Sequence, residues 1–103
     1  RKSVDSTALC LLHSAEFWFE EGLHNFEQYH DVCNVALLRC NLCQCCKVKA
    51  NANLNHATLS AEQFLQKAIE HLKFAHTALG EREKDPKTWD VISDQLAAAF
   101  LVL

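Results

Sequence analysis

Leu12, Ala15, Phe19, Gly22, Leu23 and Phe26 recur at three- and four-residue steps, the spacing of one face of a helix. Glu16, Glu20 and Glu27 lie mostly off that face, and the pattern predicts a first helix over residues 6–28. His30 and Asp31 read as a short turn, with Asp31 placed to cap the next element. At about 100° per residue, Val32, Val35, Leu38, Leu42, Cys43 and Cys46 share one broad arc, which predicts a second helix over 32–50. The periodicity then stops, and the Asn-rich stretch over 51–57 reads as a loop. Ser60-Ala61-Glu62-Gln63 has the spacing of a capping box. Ala61, Leu65, Ala68, Leu72, Ala75 and Leu79 form the stripe of a third helix over 60–79, which Gly80 ends. After the charged connector Glu81-Arg82-Glu83-Lys84, Asp85 and Pro86 supply a cap and a first-turn proline. They open a fourth helix over 86–103, with Trp89, Ile92, Leu96, Ala97 and Phe100 directed inward.

Composition narrows this to an all-α fold of four antiparallel helices. Two Gly and one Pro are too few for the turns of a β-sandwich. With 103 residues there is room for a single helical domain over 1–103. Half the residues are apolar, with six Phe and two Trp, enough to build a core and to exclude a disordered chain. The net charge of −3, with Lys47 and Lys49 as the only small basic footprint, gives no reason to expect direct nucleic-acid binding. No apolar run reaches the roughly 20 residues that span a bilayer, so no membrane partner is expected. The absence of Met, and an apolar pattern that runs on to Leu103 without a cap, are what a fragment of a larger protein would show.

The helices repeat. Ala15-x3-Phe19-x2-Gly22-Leu23-x2-Phe26 matches Ala61-x3-Leu65-x2-Ala68-Ile69-x2-Leu72, and Leu42-Cys43-x2-Cys46 matches Leu96-Ala97-x2-Phe100. An Ala-x3-Phe helix followed by a Leu-small-x2-aromatic helix resembles the tetratricopeptide repeat. Ala36, Asn41 and Leu42 stand where such repeats carry them, whereas Arg39, Cys43 and Cys46 replace the usual Trp, Gly and aromatic. The second half, through Leu59-Ser60-Ala61-Glu62, Lys67-Ala68-Ile69-Glu70, Asp85-Pro86-Lys87-Thr88-Trp89-Asp90 and Leu96-Ala97-Ala98-Ala99-Phe100, resembles the erythroid differentiation-related factor family. That resemblance implies a large helical protein, a nuclear role in regulating gene expression, and no catalytic residues to carry over.

Five of the six cysteines lie between Cys33 and Cys46. Cys43 and Cys46 are one helical turn apart and could supply two ligands to a tetrahedral zinc ion, which needs four. A metal would draw on Cys40, Cys43, Cys46 and His56. The plainer reading is core packing, since free Cys is among the most buried residue types. A disulfide framework is not expected, and several pairs are too close along one helix to bridge. The six histidines carry no signature of nucleophilic catalysis, and neither a Gly-rich phosphate loop nor His-Glu-x-x-His occurs.

These readings describe a non-catalytic protein-interaction or scaffold segment with no cofactor. It would sit in the nucleus or cytoplasm, in a reducing compartment. Its partners would be other proteins or the rest of the parent chain, with self-association of the fragment as a further outcome. A zinc-binding or redox-switched helical module is the alternative. Phe17, Trp18 and Phe19 cannot all face one side of a helix, so Phe17 and Trp18 become candidate contact residues, together with Asn41 and Gln44 on the second helix. The groove positions Cys40, Gln44, Asp94 and Ala98 lack the Lys and Asn that clamp a terminal carboxylate, so acidic C-terminal peptides are not expected to bind.

Overall fold

The computed structural model describes residues 6–51 and 60–102. Its helices are α1 (Ser6–Gln28), α2 (Val32–Asn51), α3 (Ala61–Leu79) and α4 (Pro86–Val102), with a single 3-10 turn at Arg82–Lys84 before α4. No strand occurs among the described residues. Asn51 extends α2 one residue into the stretch read as a loop. The rest of that loop, His56 and Leu103 lie outside the described residues.

α1 reverses into α2 through a tight turn. The Asp31 amide donates to Phe26 O at 3.0 Å, and His30 takes the left-handed conformation, φ 57°, that the reversal requires. Asp31 then accepts from the Asn34 amide and from the Asn34 side chain (3.3 and 2.7 Å), satisfying a free donor at the start of α2. Gly22 lets the pair close up: a Cβ there would stand 3.1 Å from Leu38 Cδ1. Leu23, Val35 and Leu42 form the buried contact between α1 and α2, flanked by Phe19, Phe26, Leu38 and Ala78.

α2 lies in the middle of the molecule, with α1 on one flank and α3 on the other. Two further buried clusters tie it to the second hairpin. One joins Ala36, Ala75, Leu79 and Ile92, with Cys33, Cys40, Trp89 and Leu96 at its edge. The other joins Cys43, Cys46, Ala68 and Leu72. Full burial of a side chain such as Leu72 or Ile92 stabilises the fold by about 1.5–3 kcal/mol.

The start of the second hairpin and its turn are set by caps. Ser60 Oγ accepts from the Gln63 amide while the Gln63 side chain accepts from the Ser60 amide, a complete capping box. Gly80, at φ 77°, terminates α3 and donates to His76 O. Asp85 accepts from the Thr88 amide and hydroxyl (3.2 and 2.8 Å) at the start of α4.

Two packing expectations are corrected. Ala97 and Phe100 do not turn inward; both are exposed, because α4 rests on α3 mainly through Trp89, Ile92 and Leu96. Lys73 instead lies over the Phe100 ring, 5.6 Å from its centre. Cys45, set off the predicted core arc of α2, is buried nonetheless, because α1 covers that flank.

Candidate interaction surface and the cysteine cluster

Because Phe19 occupies the core face of α1, its two neighbours are turned outward. Phe17 is 53% and Trp18 69% exposed, and the rings meet edge to face at 5.2 Å between centroids. Leu11, one heptad before Trp18 and 67% exposed, extends the apolar patch along the same helix. Exposure on this scale at two aromatics is unusual for side chains that each carry a large apolar area. The structure therefore brings Phe17 and Trp18 together.

It does not bring the other two expected contact residues to them. Asn41 is half-buried on α2. Gln44 is exposed and turned to α4, its amide donating to Gln95 Oε1 at 3.3 Å. That one oxygen also accepts from Lys47 Nζ at 3.3 Å and, more weakly, from Cys43 Sγ at 3.8 Å. Gln95 thus fastens the open edge between α2 and α4. Of the proposed groove positions, Cys40 is half-buried, while Gln44, Asp94 and Ala98 are exposed.

All six cysteines are free thiols. Cys43 and Cys46 pack against Ala68 and Leu72, with Cys40 at the edge of the same cluster. Burial pushes the Cys43 thiol up to about 11; Lys47 opposes this only in part. Burial likewise pushes Cys46 up to about 11, with Glu16 adding to it. Cys40 and Cys45 are raised by burial as well. Metal ligands and redox nucleophiles are thiolates, and this environment favours the neutral thiol. Among the described residues no three His, Cys, Asp or Glu side chains converge as a metal site, and His56, the fourth candidate ligand, lies outside them.

Two polar nodes lie outside this set. Arg39, noted in the sequence only as a replacement for Trp, links three helices. Its guanidinium lies 4.5 Å over the Phe74 ring, donates to His71 Nδ1 at 3.1 Å, and stands 3.8 Å from Glu27. Since Arg only donates, His71 must accept at Nδ1, which places its proton on Nε2. Burial first, then the charges of Arg39 and Lys67, lowers the His71 pKa below its ordinary value. The Arg39 Nε is buried with no acceptor among the described residues. The second node pairs Lys49 with Glu16 across α1 and α2, with the Lys49 ammonium 5.6 Å from the centre of the Phe64 ring. In the sequence each node shows only as a cation on α2, which does not say which partner it finds.

Comparison with known proteins places the fold in context. A family model described as Erythroid differentiation-related factor 1-like, TPR (tetratricopeptide) repeats, matches residues 1–103. The chain is 29% identical over 109 residues to the Erythroid differentiation-related factor 1 of Homo sapiens and of Pongo abelii, and 30% identical to that of Mus musculus. Each alignment covers 99% of this chain but 9% of the relative, so the chain spans about a tenth of the proteins it matches. No solved structure matches it.

Proposed function

The chain belongs to the erythroid differentiation-related factor 1-like family of tetratricopeptide repeats, and from that premise we propose that it is a non-catalytic protein-interaction segment of a larger nuclear regulatory protein. The observation that carries this reading is the exposed Phe17–Trp18 pair on α1. Stacked helical hairpins bind through aromatic and aliphatic anchors on such faces, without chemistry. The polar nodes support it too, because they spend their donors and acceptors on holding helices together: Gln95 joins α2 to α4, Lys49 joins α2 to α1, and Arg39 joins α2 to both α1 and α3.

The partners are other proteins, and the protein works in the nucleus. The test is affinity capture with the full-length protein from nuclear and cytoplasmic extracts, followed by quantitative mass spectrometry of the captured set. Trp18→Ala is expected to remove a defined group of nuclear proteins while leaving the abundance and solubility of the bait unchanged. A Trp18→Ala protein that retains every partner would refute this function for the α1 face.

A further inference from the structure

Three aromatic rings among the described residues each carry a cation from this chain: Phe74 under Arg39, Phe64 under Lys49 and Phe100 under Lys73. Phe17 and Trp18, the two aromatic neighbours on the outer face of α1, have none among the described residues. Each of those three cations reaches its ring from a neighbouring helix, and α1 itself holds Glu16, Glu20, Glu21 and Glu27 but no Lys or Arg. Glu16 is taken by Lys49, and Glu27 lies beside Arg39. Glu20 and Glu21 are exposed and enter no ion pair among the described residues.

Their register matters. Glu20 stands three residues after Phe17, and Glu21 stands three after Trp18 and four after Phe17, the spacing that puts side chains side by side on a helix. Leu11 and Trp18 are seven apart, two turns along the same outward strip. Glu20, two residues from Trp18 and nine from Leu11, lies on the other side of the helix from both, so the outward strip presents Leu11, the two electron-rich rings and the Glu21 carboxylate along about three helical turns. Aromatic rings attract cations over their faces, Trp most strongly, and carboxylates accept the forked hydrogen bonds of a guanidinium.

We propose that this face of α1 docks a basic amphipathic helix, whose Arg or Lys side chains lie on Phe17 and Trp18 and pair with Glu21 while its apolar residues cover Leu11. The inference rests on the interaction reading above and adds the chemistry of the partner. An acidic partner would meet the Glu21 carboxylate with no counter-charge on α1. A purely apolar partner would cover the rings but leave Glu21 facing a closing interface without a cation, which costs free energy.

The probe is a fluorescein-labelled amphipathic peptide of Leu and Arg at helical spacing, titrated with the purified protein and followed by anisotropy. Two companion peptides replace every Arg by Gln, or by Glu with a free C-terminal carboxylate. The Arg peptide is expected to bind, the Gln peptide more weakly and the Glu peptide not at all. Trp18→Ala is expected to weaken the Arg peptide by about tenfold or more, as loss of a central aromatic anchor does. The change Glu21→Gln is expected to weaken it severalfold and to flatten its salt dependence. Because both positions are exposed, an unchanged circular dichroism spectrum confirms that each variant is folded.

A Gln peptide that binds as tightly as the Arg peptide would overturn the basic partner yet leave the interaction reading standing. An Arg peptide indifferent to both variants, or no binding by any peptide, would overturn the assignment of this face. Sedimentation showing a dimer that Trp18→Ala dissolves would also overturn it, since a second copy would then be the occupant. The interaction reading fails separately, if the full-length Trp18→Ala protein keeps all its partners in the capture experiment.

Discussion

At the scale of single residues, the cysteines and His71 show how burial decides chemistry. Cys43 and Cys46 titrate near 11 instead of 9.0, so at neutral pH their thiolate fraction is about a hundredfold below that of an unburied cysteine. Cys10, exposed on α1, should react promptly with iodoacetamide. Cys43 and Cys46 should lag by at least about a hundredfold until denaturant is added, as mass mapping of the labelled sites would show. Prompt labelling of Cys43 would instead mark the activated thiol that a redox or zinc module needs.

His71 gives the pH dependence. Its neighbours are Arg39 on α2, Lys67 and Glu70 on α3, and Glu16 on α1; burial, Arg39 and Lys67 hold its folded pKa below the ordinary 6.5. Below 6.5 the unfolded chain takes up a proton there before the folded chain does. The stability that the neutral ring contributes is thus complete above 6.5. It drains away as pH falls from 6.5 towards the folded value, then levels off. Urea midpoints measured across this window should decline for the wild type. His71→Gln, which titrates nothing, should flatten that decline.

At the scale of elements, the ends of the helices are written locally and the sides are not. The Ser60–Gln63 box and the Asp85 cap each use side chains within three residues of the helix they open, so spacing alone exposed them. Ser60→Ala should cost about 1 kcal/mol in chemical denaturation, and Ser60→Asp should restore most of it. The stripe on α3 was equally legible, since one face of that helix meets the core and the opposite face is exposed.

α2 was less legible because it is covered on two flanks. Its burial extends to Cys45 beyond the one arc a single-faced pattern can show. α4 failed the other way: periodicity marked Phe100 as inward, but nothing lies beyond α4 among the described residues to bury it. On the candidate surface, three consecutive aromatics were enough to show that Phe17 and Trp18 leave the core. The Gln95 and Arg39 nodes depend on partners 12 to 52 residues away, which no local pattern encodes.

Over the whole molecule, packing is unevenly shared. α2 and α3, joined through residues 52–59, form the most extensive pairing, and α4 closes against α3 and the edge of α2. α1 is fastened mainly along one side, to α2, through Leu23 against Val35 and Leu42 and through the Lys49–Glu16 and Arg39–Glu27 pairs. An element held on one flank opens at a lower free energy than one clasped between two others. Under a pulling force or a passing protease, α1 would therefore peel first, hinging at His30 and Asp31, while the α2–α3–α4 unit stays closed. The helix that carries Phe17 and Trp18 is thus also the part of the chain whose detachment a bound partner would prevent, so that occupancy of its outer face would register as resistance to unzipping.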